Sequence, residues 1–286
     1  MKSAFVRAAS GFAALLVAGS ALAASTKPAA PAAEAEGATR PALNVATATI
    51  NEINACSRSN LADRGSLRDI TLKSKGRDGK ERTLKLKLFW KPAKGTGEGR
   101  LNVRVVEPKD LAGSSYLLVQ KEGAEQLYFY LPAANKVQQV SGDDLNRPLW
   151  GTDLSYSDLK QLQGLAATGP TTRIADQVVA GHPSYVLETK LDAATPTYAM
   201  MRSYVDQKSC VPLRSDFLDK SGKTVKQLEA DATTLSQLDP YWFVTAYTMK
   251  DLVRNSQTGI ELSDVFLLEQ LSEKNFAPDT FYLKNE

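Results

Sequence analysis

The sequence predicts a mainly β protein with a few helices, built as one curved antiparallel sheet that forms a barrel or an open half-barrel. Three observations predict it. Short segments of period-two alternation recur at roughly 10–13-residue intervals through most of the chain. Clusters of Gly, Pro, Asp and Asn separate them, as turns between antiparallel strands require. No strand–helix–strand alternation and no internal repeat is present.

The first segment is a targeting signal. Lys2 and Arg7 are the only charges before Lys27, and an apolar run from Phe12 to Ala18 follows them. Ala21-Leu22-Ala23 then offers a small-x-small cleavage site, so residues 1–23 read as a signal peptide. The run is well short of the ~20 residues a spanning helix needs. Export to the periplasm is the implied localisation, and no cysteine lies near the site to take a lipid. Removing Lys2 and Arg7 lowers the formal net charge from +3 to +1, because residues 1–23 contain no acid. That balance gives no electrostatic reason to expect nucleic acid.

Residues 24–42 are dominated by Ala and Pro and contain no aromatic residue. Such a segment buries too little apolar surface to offset its ordering entropy, so it reads as a disordered tether. The folded domain is then expected over residues 43–286. Val45, Ala48, Thr49, Ile53 and Cys56 recur at helical spacing and predict an amphipathic helix over 44–60.

Strands follow. In 82–90, Leu84, Leu86, Leu88 and Trp90 share one face while Lys85 and Lys87 occupy the other. Asp78-Gly79 supplies the turn before it. Further strands are expected at 100–106, 115–120, 126–131 and 136–141. A short helix over 154–165 interrupts them. Asp153 or Ser155 can cap it and Gly164 suits its end. Strands resume at 171–179, 184–191, 198–205, 211–218, 224–234, 242–251 and 257–268. The helix, bounded by Gly151 and Gly164, is expected to be a movable cover, since about three turns have little stability of their own.

Cys56 and Cys210 are the only cysteines. An oxidising compartment favours one bridge between them over two buried thiols. Their separation matches neither a zinc site nor a redox motif.

Enzymatic arrangements are weak. His182 is the only histidine, which excludes two-histidine metal sites, and no metal or cofactor is expected. No nucleophile elbow or phosphate-binding loop occurs. Gly95–Gly99 bridges two strands with no helix after it. Asp143-Asp144 and the Asp153/Asp158 pair read more simply as solvated or capping residues than as an acid–base pair. The aromatic and Met supply is more suggestive. Most of it must fill a core, but a loosely covered concave face would leave an apolar pocket. The candidate cavity or cover residues are Leu88, Trp90, Phe129, Trp150, Leu154, Tyr156, Leu159, Met200, Met201, Tyr204 and Trp242.

Residues 126–132 (QLYFYLP), 135–142 (NKVQQVSG) and 151–159 (GTDLSYSDL) occur in that order, followed by Tyr204-Val205-Asp206 and 217–223 (FLDKSGK). Together they resemble the LolA-like outer membrane lipoprotein-sorting protein family. There an aromatic strand ending in Pro, a basic K/R-V-R-R-I strand and a G-S-D-F-S-Y-E-D-L segment follow one another. The resemblance implies an open antiparallel half-barrel whose mouth is covered by helices and whose apolar cavity takes acyl chains. It also implies a carrier or chaperone for lipid or lipoprotein, not an enzyme, passing cargo from an inner-membrane transporter to an outer-membrane acceptor. Gln138 and Gln139 replace the two central Arg of the basic strand, which weakens the case for anionic headgroup binding by that strand. The alternative is a periplasmic sensor that uses the same fold to bind an envelope protein or a mislocalised lipoprotein.

Overall fold

The computed structural model describes residues 43–60, 65–92, 99–121, 124–141, 144–145, 147–156, 158, 169–191, 198–238, 240–268 and 270–284. The signal peptide, the tether, Leu159 and the rest of the expected helix to residue 165 lie outside them.

One α-helix is described, α1 (Ile50–Arg58). Fifteen strands are described: β1 (Gly65–Lys75), β2 (Glu81–Pro92), β3 (Gly99–Glu107), β4 (Ser115–Lys121), β5 (Ala124–Leu131), β6 (Lys136–Val140), β7 (Thr171–Val179), β8 (His182–Lys190), β9 (Met200–Asp206), β10 (Pro212–Leu218), β11 (Thr224–Ala230), β12 (Ser236–Leu238), β13 (Tyr241–Phe243), β14 (Ala246–Asp251) and β15 (Ser256–Leu268).

Thirteen strands form one curved antiparallel sheet in the order β6-β5-β4-β3-β2-β1-β15-β14-β11-β10-β9-β8-β7, not closed into a barrel. The sequence expectation of a mainly β protein built on one open, curved antiparallel sheet is therefore met. β6 and β7 are consecutive in sequence yet occupy opposite edges. The chain between them must cross from one edge to the other. At the middle of the sheet, β1 pairs with β15.

The concave face carries the main core. Leu84, Leu86, Leu88 and Trp90 of β2 point into it, with Leu101, Val103 and Val105 of β3 and Met249 and Ile260 of β14 and β15. Gly99 permits one close approach there. A Cβ at this position would lie 2.0 Å from the Trp90 ring.

The helix begins later than expected. Asn44 closes a turn, with the Ala48 N–H donating to its carbonyl at 2.8 Å. Thr49 then caps α1: its Oγ1 accepts from the Glu52 N–H at 3.3 Å, and its own N–H donates to Glu52 Oε2 at 2.7 Å. The buried side of α1 rests on the inner face of β8 and β9, where Ala48 and Ile53 meet Tyr185, Leu187 and Val205. Cys56 and Cys210 are bonded, with Cα atoms 5.8 Å apart, and fasten α1 to the β9–β10 turn.

The expected strand 242–251 is divided. β13 pairs with β12 as a separate two-stranded hairpin, and β14 returns to the main sheet. The convex face of β2–β6 is covered by the C-terminal segment. Phe276 and Phe281 pack there with Leu117, and Tyr282 stacks on Tyr130 at 3.9 Å. Asn102 Nδ2 donates to the carbonyls of Asn275 (2.7 Å) and Phe281 (2.8 Å), and Glu273 is bound by Lys91 and Arg100.

Candidate functional site

A mostly apolar cavity of about 190 Å³ lies over the concave face. At about 10–15 Å³ for each water centre, it has room on the order of a dozen waters. Ile70, Leu72, Leu86, Leu88, Met201, Leu228 and Ile260 form its floor. Asn54 and Ser57 of α1 close one side, and Leu238, Tyr241, Trp242 and Phe243 of the β12–β13 hairpin close another. The cover is therefore a disulfide-fastened helix and a β hairpin. Asn60, next to the end of α1, joins the two. Its Nδ2 donates to the Ser209 carbonyl at 2.8 Å, and its Oδ1 accepts from the Trp242 N–H at 3.0 Å.

The crossing segment fills the other end of the concave face. Trp150 (φ +50°) and Gly151 (φ +77°) make a left-handed turn. Leu149, Trp150, Leu154 and Tyr156 are buried in the main core. Phe129 packs edge-on against Tyr156 at 5.7 Å and lies 6.4 Å from Trp150, and Tyr116 lies 5.3 Å from Tyr156.

Two buried carboxylates hold this plug. Asp153 accepts from Ser256 Oγ (2.5 Å), Thr258 Oγ1 (2.8 Å) and the Arg254 guanidinium (2.9 Å), which moors it to β15. Asp158 Oδ2 accepts from the Ser155 N–H (2.7 Å) and Oγ (2.8 Å), while the Asp158 N–H donates to Ser155 Oγ at 3.3 Å. This is a reciprocal cap at the start of the expected helix. Asp158 also forms an ion pair with Lys226 of β11, and both side chains are buried. The Asp153/Asp158 pair thus anchors and caps. Residues 149–156 are packed into the core by apolar burial and charged anchors, while 157 and 159–165 of the expected movable cover lie outside the described residues.

The expected site residues separate into three groups. Leu88, Leu154, Met201 and Trp242 line the cavity. Trp90, Phe129, Trp150 and Tyr156 belong to the packed end, with Phe129 at its margin. Met200 and Tyr204 lie on the opposite side of β9 from Met201, as strand alternation requires. Tyr204 Oη there donates to Asp216 at 3.2 Å. Burial pushes the Tyr156 hydroxyl up to about 12 and raises that of Tyr198 further. His182 is partly exposed, 3.3 Å from Asp206.

Sequence reasoning missed Arg68, Tyr247 and the hairpin residues Tyr241 and Phe243, all of which line the cavity. Burial lowers the pKa of Arg68. Burial also pushes Tyr247 up to about 12, with Arg68 opposing that shift. Among the described residues, no cluster of three or more His, Cys, Asp or Glu could hold a metal ion. None of their helices is long and apolar enough to cross a membrane.

Three solved structures share this fold. A domain described for outer membrane lipoprotein sorting from Vibrio parahaemolyticus is 21% identical, covering 80% of this chain and 97% of its own, at TM-score 0.70. A DUF1329 family protein from Desulfovibrio piger is 22% identical over 81% and 98%, also at 0.70. A LolA superfamily protein from Nitrosomonas europaea is 19% identical over 82% and 99%, at 0.61. These likenesses establish the fold. A protein-family model described only as an uncharacterized protein matches residues 97–282, and the chain belongs to that family. No curated protein matched.

Proposed function

We propose that the protein is a binding protein, not a catalyst: a periplasmic carrier or chaperone that holds lipid or lipoprotein acyl chains in the concave-face cavity. In this reading residues 1–23 are a cleaved signal peptide, 24–42 a tether and 43–286 the lipid-binding domain. The observation that carries it is the cavity itself. The plug fills one end of the concave face, yet an apolar volume remains beneath α1 and the hairpin. Each methylene moved into it from water contributes about 0.8 kcal/mol. The lipoprotein-sorting description of a structural relative supports the cargo class. Donor and acceptor would be an inner-membrane transporter and an outer-membrane protein.

A fluorescent fatty acid titrated into the purified protein tests the reading. Saturable binding at micromolar or tighter affinity is expected. Met201→Asp should weaken it strongly, because a carboxylate in the cavity must be desolvated. Met200→Asp, on the other side of β9, should leave it near the parent value. Absence of saturable binding by the folded parent would overturn the reading. Native mass spectrometry of protein from its host adds a second arm. A lipid-free mass together with a stoichiometric protein partner would favour the sensor instead.

A further inference from the structure

The cavity is mostly apolar, with scattered hydroxyl and amide side chains and one charge. Among its described lining residues, Arg68 of β1 is the only charged side chain. Strand register places it between Leu88 of β2 and Val265 of β15, both of which also line the cavity. Its Nε is buried without a hydrogen-bond partner. No ion pair or side-chain hydrogen bond joins the Arg68 guanidinium to any described residue. The adjacent acid, Asp69, points to the other face of β1 and is bound by Lys87 at 2.8 Å. Arg104 makes the contrast clear. Its Nε is also unpartnered, but its guanidinium donates to the Phe281 carbonyl and lies over the Phe89 ring.

A guanidinium keeps its charge in proteins and presents a planar fork suited to two oxygens. That charge lies against mostly apolar walls, where an anion meeting it is favoured. The lining supplies no carboxylate. A countercharge for Arg68 can therefore come with what enters the cavity.

We propose that Arg68 receives the oxyanion of an amphiphile, a carboxylate or a phosphate, whose hydrocarbon tail occupies the cavity. The proposal rests on the carrier reading and narrows it. Acyl chains linked as esters or amides bring no formal charge to this position. A free fatty acid or a phosphate-bearing lipid does.

The test is a competition titration on the full purified chain, with the neutral dye N-phenyl-1-naphthylamine as reporter. The competitors share one tail length: dodecanoate, dodecyl phosphate and dodecanol, with inorganic phosphate as the tail-free control. The two anions should bind at least about tenfold more tightly than dodecanol, as one charge-assisted hydrogen bond allows. Arg68→Gln should bring them to the dodecanol level and leave dodecanol within about twofold. Equal affinity of dodecanoate, dodecyl phosphate and dodecanol for the parent overturns this proposal and leaves the carrier reading standing. Failure of every tailed ligand, in dye displacement and in direct titration, overturns both. Inorganic phosphate binding as tightly as dodecyl phosphate marks a simple ion site and also overturns the proposal. If Arg68→Gln loses its native circular dichroism, Arg68→Met decides. Arg68→Met keeps an apolar stem without the charge, so an anion preference unchanged from the parent in that variant refutes the assignment.

Discussion

Removing the amine of Lys226 while keeping its apolar stem, as Lys226→Met does, isolates the buried ion pair that holds the plug. Asp158 is fully buried, at 0% exposure, and Lys226 is 5% exposed. Asp158 Oδ1 has no hydrogen-bond partner, so Oδ2 carries all the compensation. Without the amine, the carboxylate keeps its two contacts from Ser155 but loses its countercharge. Stranding one partner of such a pair costs about 3–5 kcal/mol, a large part of a typical folding free energy of about 5–15 kcal/mol. Asp158→Asn alone should also destabilise, by stranding the amine. The double variant removes both charges and keeps an oxygen for Ser155, so it should regain most of the loss. Guanidinium unfolding followed by tryptophan fluorescence, with the disulfide intact, provides the four free energies of the cycle. A coupling energy above about 2 kcal/mol is expected. A Lys226→Met loss below about 1 kcal/mol, or additive single effects, would refute the view that this pair anchors the plug.

Three further outcomes follow from the packing. Alkylation before reduction should label neither cysteine, and alkylation after reduction should label both. Breaking this bridge, which spans 154 residues, should destabilise the fold by about 4–5 kcal/mol on the chain-entropy model. Phe281→Ala, at a fully buried position on the convex face, should cost about 3–5 kcal/mol by chemical denaturation, and a loss under 1 kcal/mol would mean that the C-terminal segment is dispensable. Gly99→Ala should displace Trp90 and cost about 1–3 kcal/mol, and an unshifted unfolding midpoint would contradict the close approach.

Much of the sheet was legible because its concave face is apolar and its other face is charged. β2 is the clear case, with four large apolar residues alternating with Lys85 and Lys87. β1 gave no such signal. Its inward positions are Ser66, Arg68, Ile70, Leu72 and Ser74, so only two of five are apolar. The cavity and its cation thus hid the strand that carries them. The Thr49-x-x-Glu52 capping box could have set the helix start, but periodicity drew it back to Asn44. The plug's turn and cap were visible as Gly151 and Ser155. Its burial was not, because Asp153 is moored to Thr258 and Asp158 to Lys226, partners far away in the chain. The C-terminal cover has isolated aromatics with no period to follow. The division of 241–251 depends on which residues rejoin the main sheet, which local pattern does not encode.

The pairing of β1 with β15 has a consequence for how the molecule is made. These two strands meet at the middle of the sheet although residue 75 is registered against residue 257. During synthesis, the six-strand meander β1–β6 is complete long before β15 exists. Its β1 edge stays unpaired until the chain is nearly finished. So distant a closure makes for slow assembly. A chain that stops before residue 256 leaves two open meanders, each exposing a strand that should be central. Such edges invite pairing with other chains. Premature truncation should therefore yield aggregates instead of a smaller soluble fold.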